Sequence, residues 1–193
     1  MSLFGLINRR APAGDERETA VIMANQILLR KVSLKDQDSF LAAARKSRSL
    51  HLHWVKVPQT ADDFRRYVKE LTTETDIAYL VKAKASNALV GVVELKDIYR
   101  GNFRNAYVIY YVFEGYARHG YMTEAVEKLI HIAFGRLRLH RLEANIQPSN
   151  LASRRLAKNC GFRKEGLAKA FLKKGGEWRD HERWAVTSTE LGY

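Results

Sequence analysis

The stretch EGYARHGYMTEAVEKLIHIAF, residues 114–134, decides how the chain is read, because two different periodicities meet in it. Before it, NAYVIYYVF at 105–113 has the aromatic and β-branched composition of a strand. After it begins, Met122, Val126, Leu129, Ile130 and Ala133 recur at helical spacing, with Glu124, Glu127, Lys128 and His131 on the opposite side. A short loop containing Gly115 and Gly120 joins the two. Strand, glycine-bearing loop and helix suit an anion, because the first N–H groups of a helix lack partners and lie at the positive end of its dipole. The loop has no Gly-Lys-Ser/Thr ending of a nucleotide P-loop. What remains is a row of backbone donors over 118–123, approached closely past Gly120, with Arg118 and His119 adding positive charge.

Working outward, QILLRKVS at 26–33 reads as a first strand, and SLKDQDSFLAAARKS as a helix capped by Ser33 or Asp36. SRSLHLHWVKVPQ is a loop carrying two histidines and a tryptophan. In QTADDFRRYVKELT, Thr60 and Asp63 have capping-box spacing, and Phe64, Tyr67, Val68 and Leu71 make one apolar face. The period then changes to two in DIAYLVKA, ALVGVVELKDI and NAYVIYYVF, which short connections (KASN and YRGNFR) predict to pair antiparallel. Beyond the central helix, HRLEANIQ alternates as a strand, a short helix enters near Pro148, Ser149 or Asn150 and stops at Gly161, and the remainder is a hairpin turning at Gly175 and Gly176.

At 193 residues, 46% hydrophobic, the chain is long enough for one sizeable core and short for two. Residues 1–25 read as a loose or docking arm, and 26–193 as one domain. The single cysteine, Cys160, excludes an internal disulfide framework and a cysteine-based zinc site. No apolar run approaches the roughly 20 residues that span a bilayer, and no signal-peptide pattern is expected, so the chain is read as cytoplasmic, without membrane association. A net charge of +12 points to an anionic partner. His51 and His53 have no companion ligands in the sequence, so no metal is expected.

The order βααβββαβαββ, together with GYARHGYMTEA and PSNLASRRLAKNCGF, resembles the GNAT acetyltransferases. IYRGNF at 98–103 and GFRKEGLAKAFLKKGGEWRDHERWA at 161–185 are similar to the ribosomal-protein-alanine N-acetyltransferases of the RimJ and RimL type within it. The resemblance covers about residues 26–187. It implies an α+β, three-layer fold with a mostly antiparallel twisted sheet flanked by helices, and acetyl-CoA as co-substrate. Ala117 and Met122 depart from the usual Gln/Arg-x-x-Gly-x-Gly/Ala loop; Gly120 matches. On this resemblance Arg118, His119, Gly120, Tyr121, Met122 and Thr123 hold the CoA diphosphate. Val112 and Phe113, on a strand that splays in this fold, offer backbone groups to pantetheine and to the oxyanion. Asn150 either caps the helix or, with Ser149 capping instead, bonds pantetheine. Ser153 protonates the departing thiolate, and Arg154, Arg155 and Lys158 either reach the 3′-phosphate or are solvated.

On the same resemblance Glu94 stands where several GNAT enzymes carry a carboxylate general base and Glu143 matches a glutamate used in a related N-terminal acetyltransferase group; each reads equally as an outward strand residue. A tyrosine acid used by a related group falls at Ala157 and is missing. An α-amine, with a pKa of about 7.7–8.0 against about 10.4 for lysine, needs little base, so a protein N-terminus is the expected acceptor, plausibly of a ribosomal protein. His51, His53 and Trp54 would wall the acceptor site. The alternatives are a small-molecule amine acetyltransferase and a basic RNA-binding protein with an inactive fold. The chain is expected as a monomer or homodimer.

Overall fold

The computed structural model describes residues 22–71 and 73–193. Most of the arm read over 1–25 therefore lies outside the described residues. Its last part does not: β1 (Ile22–Met23) pairs antiparallel with β2 (Ile27–Lys31). A 3-10 turn at Leu34–Asp36 leads into α1 (Gln37–Lys46), and the Asp36 carboxylate accepts the Ser33 N–H at 2.9 Å. Then come α2 (Arg48–His51) and α3 (Ala61–Glu70), the latter capped by the Thr60 hydroxyl, which accepts the Asp63 N–H at 3.1 Å.

β3 (Ile77–Ala83), β4 (Leu89–Tyr99) and β5 (Asn105–Val112) form an antiparallel meander. α4 (Tyr121–His131) follows and runs on into a π turn at Ile132–Arg136. β6 (Arg141–Ile146), α5 (Leu151–Asn159), β7 (Arg163–Lys174) and β8 (Glu177–Thr187) complete the chain. The sheet order is β1-β2-β3-β4-β5-β6-β8-β7; β5 and β6 are the parallel pair, and all other neighbours are antiparallel. This is the expected α+β architecture.

Strands β3 to β5 are apolar on both faces because helices cover both. Tyr79, Val81, Val93, Leu95, Ala106 and Val108 face α4, against Met122, Val126 and Leu129. Ala78, Leu80, Val92 and Tyr111 face the other way, against Phe40 of α1 and Phe64 and Val68 of α3. By the same alternation Glu94 falls on the α1/α3 face, where it is buried. Among the described residues no helix is long and apolar enough to cross a membrane.

One local expectation is corrected. The segment read as a loop after α1 contains the short helix α2. Its four residues, RSLH, carry no apolar stripe of their own, so the helix is made by tertiary contacts. Ser47 donates its hydroxyl to the Ala43 carbonyl at 2.7 Å and accepts the Glu114 N–H at 2.8 Å, while His51 is drawn under the end of β5.

Candidate functional site

β5 and β6 stay paired only from Asn105–Tyr107 against Arg141–Glu143, then diverge. The gap is a cleft of about 1060 Å³, walled by β5 residues Tyr107 to Val112, β6 residues Ala144 to Gln147, and the first turns of α4 and α5. Alternation decides which β5 peptide groups face it. The Phe113 N–H donates to the Val90 carbonyl on β4 at 2.7 Å, so the groups two and four residues back also turn to β4, whereas those of Val108, Tyr110 and Val112 turn to the cleft. The expectation that Phe113 offers a free backbone donor is therefore corrected: its N–H is used and its ring is buried against Phe40 and Tyr111. Tyr110 takes its place, and its hydroxyl donates to the Ser153 carbonyl at 2.9 Å, fixing α5 to β5.

The segment 117–123, a loop running into the first turn of α4, lines the cleft with Arg118, Gly120, Tyr121, Met122 and Thr123. Gly120 is the N-cap of α4 with φ +81°, and no side chain caps the helix, which leaves its first-turn N–H groups available. His119 does not line the cleft. Its Nδ1–H donates to the Ala117 carbonyl at 2.8 Å and its ring stacks on Tyr121, so it rigidifies the loop.

Asn150 and Ser153 both line the cleft. Asn150 is the α5 cap, its Oδ1 accepting the Ser153 N–H at 3.1 Å, so the reading in which Ser149 caps and frees Asn150 is corrected. Only the amide NH2 of Asn150 is left for a ligand. Arg154 is tied to Glu182 and to the Pro148 carbonyl, whereas Arg155 reaches the cleft wall. Asn145, which the sequence reading passed over, holds a buried Oδ1 without a partner on the same wall.

A second cavity of about 610 Å³ adjoins the first. His51, Trp54, Val55, Gln147 and Lys174 line both, so they form the junction. His53 lines the second cavity alone among the three residues expected there, with its carbonyl accepting Gln147 Nε2 at 2.9 Å. His51 is 5% exposed, and its Nε2–H donates to the Val112 carbonyl at 2.7 Å. Burial pulls its pKa below the ordinary value, against the opposing pull of that bond and of Glu114. Burial thus favours the neutral ring, and its Nδ1 is buried without a partner.

The two carboxylates diverge. Glu94 is removed from the cleft wall, with the Tyr67 hydroxyl donating to its Oε1 at 2.7 Å and Tyr111, a cleft residue, hydrogen-bonded to Tyr67 in turn. Burial raises its pKa from 4.5 to about 7, moderated by Tyr67 and Lys96. Burial also acts to raise Glu143, but Arg141 and Arg183 overcome it and hold the carboxyl below its usual range. Its Oε1 takes Arg141 at 2.9 Å and Asn105 at 3.3 Å, and its Oε2 takes Arg183. A carboxylate so occupied is a poor proton acceptor. The base reading of Glu143 is replaced by that of an ion-pair hub joining β6 to β8.

The profile described as "Acetyltransferase (GNAT) domain" matches residues 26–163 of this chain. The chain belongs to the GNAT acetyltransferases. Among curated relatives, the probable N-acetyltransferase YjcK of Bacillus subtilis is 28% identical over 180 residues, covering 88% of this chain and 98% of that protein. The [ribosomal protein uS5]-alanine N-acetyltransferase of Escherichia coli is 34% identical over 102 residues, covering 53% of each. Among solved structures, Mycobacterium smegmatis RimJ in complex with CoA-disulfide has a TM-score of 0.80 at 25% identity, over 86% of this chain and 84% of that one. As in other GNAT N-acetyltransferases, the chemistry here is acetyl transfer to an amine.

Proposed function

We propose that this GNAT domain moves the acetyl group of acetyl-CoA directly onto the N-terminal α-amine of a protein. A ribosomal protein is the first candidate, since a relative at 34% identity is named for the uS5 alanine amine. The observation that carries the α-amine reading is that only weak proton acceptors lie at or behind the cavity junction. Burial weakens His51 as a base, Glu143 is occupied by arginines, and Glu94 is reached only through tyrosines. An α-amine, already about a tenth neutral near pH 7, needs no more than this; a lysine ammonium does.

The cleft suits the cofactor on its own terms: unpaired strand groups on both walls, an uncapped helix start, and an orphaned Asn145 oxygen that can accept an amide N–H. Acetyl-CoA supplies an activated thioester. The first-turn amides of α4 with Arg118 hold the diphosphate, and the Asn150 amide NH2 meets the pantetheine arm. The cleft-facing N–H of Val112 stabilises negative charge on the reacting oxygen, and that of Tyr110, about 7 Å further down the strand, pairs with the pantetheine arm. His51 Nδ1 accepts a hydrogen bond from the incoming amine and orients it, and Tyr111 with Tyr67 passes the released proton to Glu94. Ser153, on the first turn of α5, protonates the thiolate.

Gly120→Val tests the phosphate loop. A Cβ at this position meets nothing within 4 Å, so the penalty is conformational: a β-branched residue resists φ +81° and displaces the donors. Acetyl-CoA affinity is expected to fall about a hundredfold by calorimetry, roughly 2.7 kcal/mol. Unchanged affinity would make the loop a simple turn. The acceptor is tested by incubating the protein with labelled acetyl-CoA and ribosomal proteins, then locating the label by mass spectrometry. Label on N-terminal residues is expected; label on lysines alone, or none, overturns the α-amine assignment.

A further inference from the structure

The second cavity has an unbalanced lining. Arg48 and Lys56 come from the α2 side and Lys174 and Arg179 from the β7–β8 hairpin, and no aspartate or glutamate joins them. Arg179 pairs with Glu177 outside the cavity. The side chains of Arg48, Lys56 and Lys174 have no hydrogen bond or ion pair among the described residues. Lys174 is half-buried at the junction with the donor cleft, and burial alone lowers its pKa, with no carboxylate acting the other way. A desolvated, unpaired ammonium beside three further cations is a site short of negative charge.

We infer that the acceptor is an anionic peptide: a free N-terminus followed by aspartate or glutamate within the next few residues. This rests on the N-acetylation reading above and narrows it. A polycationic amine would meet four like charges and no partner. The cations come from two separate segments of the chain, 48–56 and the β7–β8 hairpin, which suits a chain with more than one acid. A volume of about 610 Å³ is also in the range that holds several groups of a ligand and not a bare amine. His51 then sees the terminal amine at the inner end, and the acids lie outward.

The test measures binding apart from turnover. Peptides with a free N-terminus and a C-terminal fluorophore, beginning Ala-Glu-Asp, Ala-Gln-Asn or Ala-Lys-Arg, are titrated by anisotropy in the presence of CoA. Each exposed ion pair is worth roughly two- to fivefold, so the acidic peptide is expected to bind about tenfold more tightly than the neutral one, with the basic one weakest. The gap should close near 1 M salt, where the Debye length is about 3 Å. Lys56→Glu combined with Arg179→Glu, both at exposed positions, should reverse the acidic and basic order. Equal binding of the three, or preference for the basic peptide, overturns the inference. Displacement of the acidic peptide by free glutamate at equal concentration overturns the peptide assignment in favour of a small anionic amine. Binding in the expected order without acetylation would sustain the anionic-peptide inference and overturn the transferase reading.

Discussion

Gly91→Ala is expected to destabilise the protein by at least about 3 kcal/mol and to abolish acetyl transfer, although the residue touches neither substrate. A Cβ built at Gly91 lies 2.4 Å from the Tyr111 carbonyl oxygen, 2.8 Å from Met122 Sδ and 3.2 Å from Val112 Cα. Met122 can swing aside; the backbone of β5 cannot do so without breaking its register with β4. The position adjoins a β-bulge, where Val81 pairs with Gly91 but Lys82 with Leu89, leaving Val90 as the extra residue. The bulge and the missing side chain together let β5 lean onto β4 at Tyr111 and Val112, beyond its last pairing with β6 at Tyr107. Gly91 is thus a positioning residue for the Tyr110 and Val112 peptide groups. Thermal unfolding should shift down by roughly 10 °C, and the remaining folded protein should show no CoA release from acetyl-CoA. A variant with wild-type melting would remove this account of the splay.

Glu94→Gln is expected to act in opposite directions on stability and rate. Its carboxyl has a pKa of about 7 in the folded chain against 4.5 ordinarily, so the native state binds the proton more tightly than the unfolded one. Its contribution to stability is complete below 4.5 and falls as pH rises towards 7, as the buried group is forced to ionise. The difference corresponds to about 3 kcal/mol above that window. Gln keeps an acceptor for the Tyr67 hydroxyl and carries no charge, so the variant should melt roughly 10 °C higher than the wild type near pH 8. If Glu94 takes the amine proton, kcat/KM should fall about a hundredfold and lose its ionisation near neutral pH. A purely structural Glu94 would raise the melting temperature while leaving the pH–rate profile in place, which would return the proton to His51 or to solvent.

Much of the fold is written in local patterns. The change from helical to alternating period, the Thr60 cap before α3 and the Gly175-Gly176 turn are short-range signals, and each led to an element with nearly its observed limits. α2 was missed because four residues are too few to show a helical period; Ser47 and His51 anchor it by reaching residues 67 and 61 positions away. Gly91 carried a usable signal, an isolated glycine inside the strand pattern LVGVVEL. That pattern does not say which backbone approaches.

The site divides in the same way. The helix start at Gly120 was legible because it follows from local sequence, and the family resemblance singled out Asn150 and Ser153, which line the same cleft. Which carboxylate remains proton-free, which strand amides face the cleft, and which side of a histidine is unpaired were not. Glu94 and Glu143 occupy equivalent positions in alternating strands, and only their neighbours separate them: two tyrosines in a dry layer for one, two arginines for the other. Sequence alone thus determined the order of elements, their periodicities and the helix start at Gly120, because these depend on residues near one another along the chain. Tertiary structure decided the opening between β5 and β6, the proton affinity of each acid and the cationic lining of the second cavity, because burial and pairing are set by residues distant in sequence and adjacent in space.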